Sequence, residues 1–332
     1  MILVTGGTGL IGSHLLFQLV QDGKSVKATY RTQKSLEKVS KIFDYYTDQP
    51  KSLLDKITWV QADITDVGSL EKAFKDVTHV YHCAALISFD PRQLDQLIQA
   101  NSEATANMVN LCIANGVKKL CYVSSIATIG PSVKGKMATE ENEWNEANVS
   151  VYGLTKHDAE LEVWRGSQEG LAVVVVNPGV VLGPGFWKSG SGSFFTYAQK
   201  GKRHFIPGGT GFVSVNDVTR AMTLLMDSNF NNERFILVNE NLTYSEIFKR
   251  ICNRLGVTPP DKPIPFWMLE LFWRWDGLRS KLRGKRRRLT KNMVKGMYRR
   301  EIYNNTKIKR ALDFTYDNLD ETLDFCCEKF KS

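Results

Sequence analysis

The first twelve residues, Met1-Ile2-Leu3-Val4-Thr5-Gly6-Gly7-Thr8-Gly9-Leu10-Ile11-Gly12, constrain this chain more than any other stretch. An apolar run stops at glycines and then resumes with apolar residues at 15, 16, 19 and 20, the spacing of one helix face. The pattern predicts a strand, a tight turn and a helix that Asp22-Gly23 closes. Glycines 7, 9 and 12 fit G-x-G-x-x-G, a turn whose missing side chains let the backbone approach a pyrophosphate at a helix N-terminus. Alone the motif is weak. Its place between a strand and a helix makes Thr5, Gly6, Gly7, Thr8, Gly9, Leu10, Ile11 and Gly12 candidate contacts for a dinucleotide.

The chain then alternates. Strands are expected over 25–31, 57–61, 78–83, 119–123 and 171–176, with helices over 35–46, 69–74, 92–115 and 151–165. Short connections between them imply right-handed βαβ units and a parallel sheet of at least six strands, covered on both faces. After Pro178-Gly179 the texture changes, because Gly183-Pro184-Gly185, the Ser/Gly run at 189–193 and Pro207-Gly208-Gly209 interrupt segments rich in Phe and Trp. A strand over 235–238 and helices over 218–226, 244–255, 266–279 and in the C-terminal tail are expected there. The fold class is therefore α/β: a doubly wound parallel sheet of Rossmann type over 1–178, and over 179–332 a smaller mixed lobe with a helical tail.

Six cysteines, at 83, 112, 121, 252, 326 and 327, form no C-x-x-C and no cluster with His, so neither a disulfide framework nor a metal site is expected. A strand at residue 2 and the lack of a long apolar run predict a cytoplasmic protein. The net charge of +9 is local, since 274–310 holds fifteen Lys and Arg against two acidic residues. No nucleic-acid-binding motif surrounds them, so a nucleic-acid partner is not expected. The stretch Pro265-Phe266-Trp267-Met268-Leu269-Glu270-Leu271-Phe272-Trp273-Arg274-Trp275, with Arg279, Lys281, Arg283 and Lys285 to Arg288 after it, has two readings. One is an interfacial helix making peripheral membrane contact through 266–288. The other, preferred here, is a lobe helix followed by a solvated basic loop. Monomer and homodimer both remain open.

Cofactor choice turns on the end of the second strand, where an acidic residue would accept hydrogen bonds from ribose hydroxyls. Here Tyr30-Arg31 stands there. A guanidinium binds a 2′-phosphate that a carboxylate would repel, so NADP(H) is favoured over NAD(H). Asp63, ending the third strand, can accept from an adenine amino group or serve as a plain helix N-cap.

Tyr followed four residues later by Lys puts a phenol and an ammonium on one helix face, where the cation favours the phenolate. The spacing occurs three times, at Tyr30/Lys34, Tyr152/Lys156 and Tyr303/Lys307. Only Tyr152 opens a helix between the fifth and sixth strands, near the carboxyl ends where a nicotinamide lies. Ser124-Ser125, ending the fifth strand, offers a hydroxyl partner.

Taken together, Thr5-Gly6-x-x-Gly9-x-x-Gly12, Asp63, Cys83-Ala84-Ala85, Asn101, Ser125, Tyr152-x-x-x-Lys156 and Pro178-Gly179 resemble the extended short-chain dehydrogenase/reductase family. The resemblance runs in order to about residue 220, with Phe212 to Val218 similar to a further family segment, so that 212–227 is expected to return to the first domain. It implies Tyr152 as proton donor or acceptor, Lys156 as the residue that lowers its pKa and binds the nicotinamide ribose, and Ser125 as holder of the substrate oxygen. Ser125 is preferred to Ser124 because the family's serine stands five residues before a glycine, here Gly130. Asn101 matches the asparagine that kinks a helix and supports a water relay; its alternative is a buried amide bonded to backbone. Ile64, Ala84, Ala85, Pro178, Gly179 and Val181 are implied as further cofactor contacts.

Sugar-nucleotide dehydratases of the family carry Asp-Glu where this chain has Ile126-Ala127, and epimerases tend to carry an Arg where it has Gly211. Ser125 to Pro131 is more similar to the dihydroflavonol reductase and 3β-hydroxysteroid dehydrogenase branch. That implies hydride transfer between a ketone and a secondary alcohol on a small apolar substrate. Phe186, Trp187, Phe194, Phe195 and Phe205 either line its pocket or form the small lobe's core. The alternatives are a nucleotide-sugar epimerase or dehydratase, and a non-catalytic NADP-binding sensor or scaffold, which would typically lack the Tyr or the Lys.

Overall fold

The computed structural model describes residues 1–132, 136–146, 149–284, 289 and 291–332. Five strands, Ile2–Thr5 (β1), Val26–Tyr30 (β2), Ile57–Gln61 (β3), His79–His82 (β4) and Lys119–Val123 (β5), precede Ala172–Pro178 (β6). Beyond these come Val180–Leu182 (β7), His204–Phe205 (β8), Gly209–Ser214 (β9), Glu233–Leu237 (β10), Glu240–Thr243 (β11) and Lys262–Pro263 (β12). The main sheet has seven strands in the order β10-β6-β5-β4-β1-β2-β3, all parallel. The order reverses between β1 and β4, which opens a crevice at the carboxyl ends of the strands.

Adjacent residues of each strand enter opposite cores, which explains the continuous apolar runs. Val4, Ala28, Val174 and Val176 pack against the helices Leu10–Gln21 and Val215–Asp227. Leu3, Val80, Tyr122, Val173 and Val175 pack on the other face, against Ala104–Ala114 and Val151–Gln168.

The main sheet draws on chain beyond 178, further than the expected return of 212–227. β10 pairs along β6 from Glu233↔Val174 to Leu237↔Pro178, so a strand expected in the small lobe closes the large sheet. β6 is buried on both faces, and its outer edge needs a partner that covers its backbone groups. Ile308 and Phe314 of the tail join the same core.

The helix expected over 92–115 is interrupted. Pro91–Gln93 is a 3₁₀ turn and Ile98–Glu103 a π-helical segment, ahead of regular helix over Ala104–Ala114. The widened turn contains Asn101, whose side chain bonds outside its own helix.

The small lobe is built on a sheet ordered β11-β9-β7 and on the helices Ser193–Gln199, Tyr244–Leu255 and Leu319–Lys331. A reciprocal Thr243/Glu246 capping box starts the second of these helices and left-handed Gly256 ends it. Phe195 is wholly buried with Phe212 and Ile251, while Phe194 stacks on Phe248 and Trp187 packs edge-on to Phe195. For these three aromatics the lobe-core reading therefore replaces the pocket reading. Tyr303 is buried with Ile236 and Val238, which places the third Tyr/Lys pair in structural packing.

Candidate active site

Gly6 adopts φ +69°, and the Gly9 N–H donates to its carbonyl at 2.9 Å. A Cβ on Gly6 would lie 2.6 Å from the Ala84 nitrogen, and one on Gly12 would lie 2.2 Å from the Gly6 oxygen. A Cβ on Gly7 would meet the end of the Leu16 side chain at 2.8 Å, which is easier to relieve. The frame the backbone demands is thus 6-9-12, tighter than 7-9-12. Gly9 stands at the N-cap without a side chain to occupy the first-turn N–H groups. The turn leaves them and the helix's positive end for an anion at the crevice, so the residues fit a dinucleotide pyrophosphate. Thr5 lies beneath the turn: its buried hydroxyl is 2.6 Å from His82 Nδ1.

Arg31 and Asp63 follow the paired strand ends Tyr30↔Gln61. Arg31 is exposed, and its carbonyl accepts from Gln61 Nε2 at 3.2 Å. Asp63 and Ile64 are half-buried. The Asp63 carboxylate accepts from the Thr65 N–H and hydroxyl at 3.0 and 2.9 Å. The N-cap of the next helix is Asp66, not Asp63. Ala84 and Ala85 follow β4, Pro178 ends β6 and Gly179 follows it. Val181 lies on β7, packed against the main core.

Tyr152 enters the first turn of Val151–Gln168, where the Ser150 hydroxyl accepts from the Gly153 N–H at 3.0 Å as N-cap. Burial pushes the Tyr152 phenol up to about 12, and a hydrogen bond with the Ser125 side chain acts in the opposite direction. Ser125 Oγ also accepts from the Ala127 N–H at 3.1 Å. The neighbouring Ser124 is turned away and donates to Glu160 at 2.6 Å. Phe89 stands edge-on to Tyr152, ring centres 5.6 Å apart.

Lys156 is 1% exposed, and burial lowers its pKa to about 7 against the raising influence of Glu160 and Cys83. Its Nζ donates to the Tyr122 hydroxyl at 2.5 Å and to the Val123 carbonyl at 2.8 Å. Its hydrogen bonds go to Tyr122 and Val123, and burial is the larger influence on the Tyr152 phenol in this arrangement. Asn101 accepts from the Leu86 N–H at 2.7 Å and donates to the Leu86 carbonyl and the Thr155 hydroxyl, both at 3.1 Å. It joins the loop after Ala85 to the helix of Tyr152, as a buried amide bonded to backbone does.

Sequence reasoning missed the groups beneath this site. Glu160, one turn after Lys156, accepts from Ser124, Thr128 (2.8 Å) and Asn177 (3.0 Å) and pairs with Arg234 at 3.2 Å. Its i+4 spacing from Lys156 was readable; its partner on β10, 74 residues away, was not. His82 lies between the Thr5 and Thr105 hydroxyls and stacks on Tyr122. Exposed Phe89 on the Asn101-anchored loop supplies apolar surface beside Tyr152, and Ile87 of the same loop is exposed as well.

A glycine turn at the switch point of a parallel sheet, with Ser125 following β5 and Tyr152 and Lys156 on the helix that leads into β6, is an arrangement that a nicotinamide-dinucleotide oxidoreductase could use. Residues 2–238 match the model of the NAD dependent epimerase/dehydratase family, and the chain belongs to that family. It is 26% identical over 280 residues to a putative dihydroflavonol 4-reductase of Synechocystis sp., covering 82% of this chain and 77% of that one. Tetraketide alpha-pyrone reductase 2 of Arabidopsis thaliana is 29% identical over 267 residues, covering 76% and 82%. The structure of UDP-glucose 4-epimerase from Thermotoga maritima superposes with a TM-score of 0.77 at 23% identity, covering 99% and 98%, a likeness of fold. The protein is an NAD(P)-dependent oxidoreductase of the extended short-chain dehydrogenase/reductase type.

Proposed function

We propose that the protein interconverts a ketone and a secondary alcohol on a small apolar substrate, preferring NADP(H), with Tyr152 as acid and base. The observation that carries this reading is the placement of Tyr152 in the first turn of its helix and of buried Lys156 one turn further along, with Ser125 at the end of β5 near enough to act on the Tyr152 phenol. The bound nicotinamide supplies or accepts the hydride. The Tyr152 and Ser125 hydroxyls hold a carbonyl oxygen and orient its carbon. In the reductive direction Tyr152, protonated at neutral pH, gives its proton to the oxygen as negative charge develops there. Ser125 shares that charge, and a Lys156 ammonium stabilises the phenolate left behind.

The reading of an apolar substrate rests on exposed Phe89, edge-on to Tyr152, and on exposed Ile87 of the same loop. Reductases among the relatives, named for flavonoid and polyketide substrates, agree with it. Ile126-Ala127 in place of an acidic pair speaks against elimination from a sugar nucleotide. The preference for NADP(H) rests on Arg31. The test is a panel of apolar ketones and of nucleotide sugars, each followed by nicotinamide absorbance with NADPH and with NADH. Consumption of NADPH with a ketone is expected. Turnover confined to nucleotide sugars would overturn the proposal.

A further inference from the structure

The helix Phe266–Arg283 carries a surface that the other described residues leave exposed. Trp267, Leu271, Trp275, Leu278 and Leu282 are 56% to 75% exposed. On a helix of ~3.6 residues per turn these five fall within an arc of about 80°. Arg274 and Lys281 border that arc on one side, and Arg279 and Arg283 on the other.

The opposite face fixes the helix to the protein. Leu269, Asp276 and Ser280 are buried on it, and the Asp276 carboxylate accepts from the Leu289 N–H at 3.0 Å. At the N-terminal end Phe266 meets Tyr298 edge-on, and the Tyr298 hydroxyl donates to the Ile264 carbonyl. So anchored, the helix presents its apolar arc outward, and no helix among the described residues is long and apolar enough to cross a membrane. An apolar arc with cationic borders on an in-plane helix is the form that inserts into the headgroup boundary of a bilayer. The sign of the charge selects the lipid. Glu270 pairs with Arg274 and Asp276 with Arg279, but the sequence from 274 to 310, leaving out 285–288, still holds eleven basic residues against two acidic ones. Such an excess attracts an anionic surface.

We propose that Phe266–Arg283 is a docking helix that seats the enzyme on an anionic lipid bilayer with its Trp267/Trp275 face inserted. The four basic residues 285–288 of the sequence lie outside the described residues, and the proposal does not depend on them. Whether this surface binds lipid is independent of what the active site reduces, and the assay needs no turnover.

The experiment is flotation of the full-length protein with phosphatidylcholine vesicles, with and without about a third phosphatidylserine. Binding is expected on the anionic vesicles at low salt, and it should weaken roughly tenfold in ~0.5 M salt. Trp267→Ser/Trp275→Ser should weaken it roughly tenfold while the thermal melt and nicotinamide binding stay unchanged. If that variant unfolds, Lys281→Glu/Arg283→Glu, which keeps both indoles, carries the test and should abolish binding to anionic vesicles. Wild-type protein that stays off anionic vesicles at low salt overturns the proposal. So does a concentration-dependent dimer, without vesicle binding, that the tryptophan variant dissolves, because a second copy would then cover the face.

Discussion

Replacing Glu160 with Gln keeps the side chain's shape and removes its charge. One carboxylate oxygen accepts from Ser124, Thr128 and Asn177 at 2.6, 2.8 and 3.0 Å. The other accepts from Arg234 at 3.2 Å and the Trp164 indole at 3.4 Å. An amide can keep its oxygen toward only one of these groups. Keeping it toward the three donors turns an NH₂ onto Arg234 and leaves that guanidinium without its counter-charge. Breaking a fully buried pair costs about 3–5 kcal/mol. Arg234 is 24% exposed against 2% for Glu160, so a loss of about 2–3 kcal/mol is expected. Urea unfolding followed by far-UV circular dichroism measures it, as a lower midpoint at unchanged slope. The same substitution removes the charge that opposes the depression of Lys156, so the ammonium is lost at lower pH and the alkaline limb of activity moves acidward. A stability change under about 1 kcal/mol, the scale of a surface pair, refutes the reasoning.

Arg31→Ala is expected to weaken NADPH binding by roughly tenfold to a hundredfold, the range of a lost charge-assisted contact, and to leave NADH nearly unaffected. Fluorescence titration of both nucleotides checks it, and equal losses would count against a 2′-phosphate contact. Gly12→Ala should cost about 1–3 kcal/mol and weaken both nucleotides, because its Cβ would sit 2.2 Å from the Gly6 oxygen. Unchanged affinity and melting would contradict that geometry. Burial lowers His14 to about 4 and His82 to about 3, so both stay neutral in the fold. Their contribution is complete above the unfolded-state value of 6.5 and is lost as pH falls, by up to about 1.4 kcal/mol per pH unit for each. Urea midpoints measured between about pH 6.5 and 4.5 should decline; a flat profile refutes the assignment.

The parallel sheet was legible because period and punctuation are local. Glycines between Thr5 and Leu10, the stop at Asp22-Gly23 and the buried run of β6 each mark an element without reference to distant chain. Tyr152 could be chosen from three equally spaced pairs only by its position between strands. What escaped depends on pairing across long separations. β10 looked like a small-lobe strand because nothing within Glu233–Leu237 says that its partner is β6. The break around Asn101 was implied by the family resemblance and not by the local pattern, because its cause lies in bonds to Leu86 and Thr155. Trp187, Phe194 and Phe195 could fill a pocket or a core on composition alone, and contacts with Phe248 and Phe330 decide for the core. Trp267 and Trp275 carry the opposite lesson: a helix read as part of the lobe leaves its indoles outside.

The central claim is that Tyr152 moves the proton at the substrate oxygen. Tyr152→Phe removes one hydroxyl and keeps the ring that packs against Phe89. The most direct measurement compares NADPH affinity and single-turnover reduction of an accepted ketone in the two proteins. The account predicts unchanged affinity and melting, with the chemical step slowed by about 10²–10⁴. Reduction at the wild-type rate by Tyr152→Phe would contradict it.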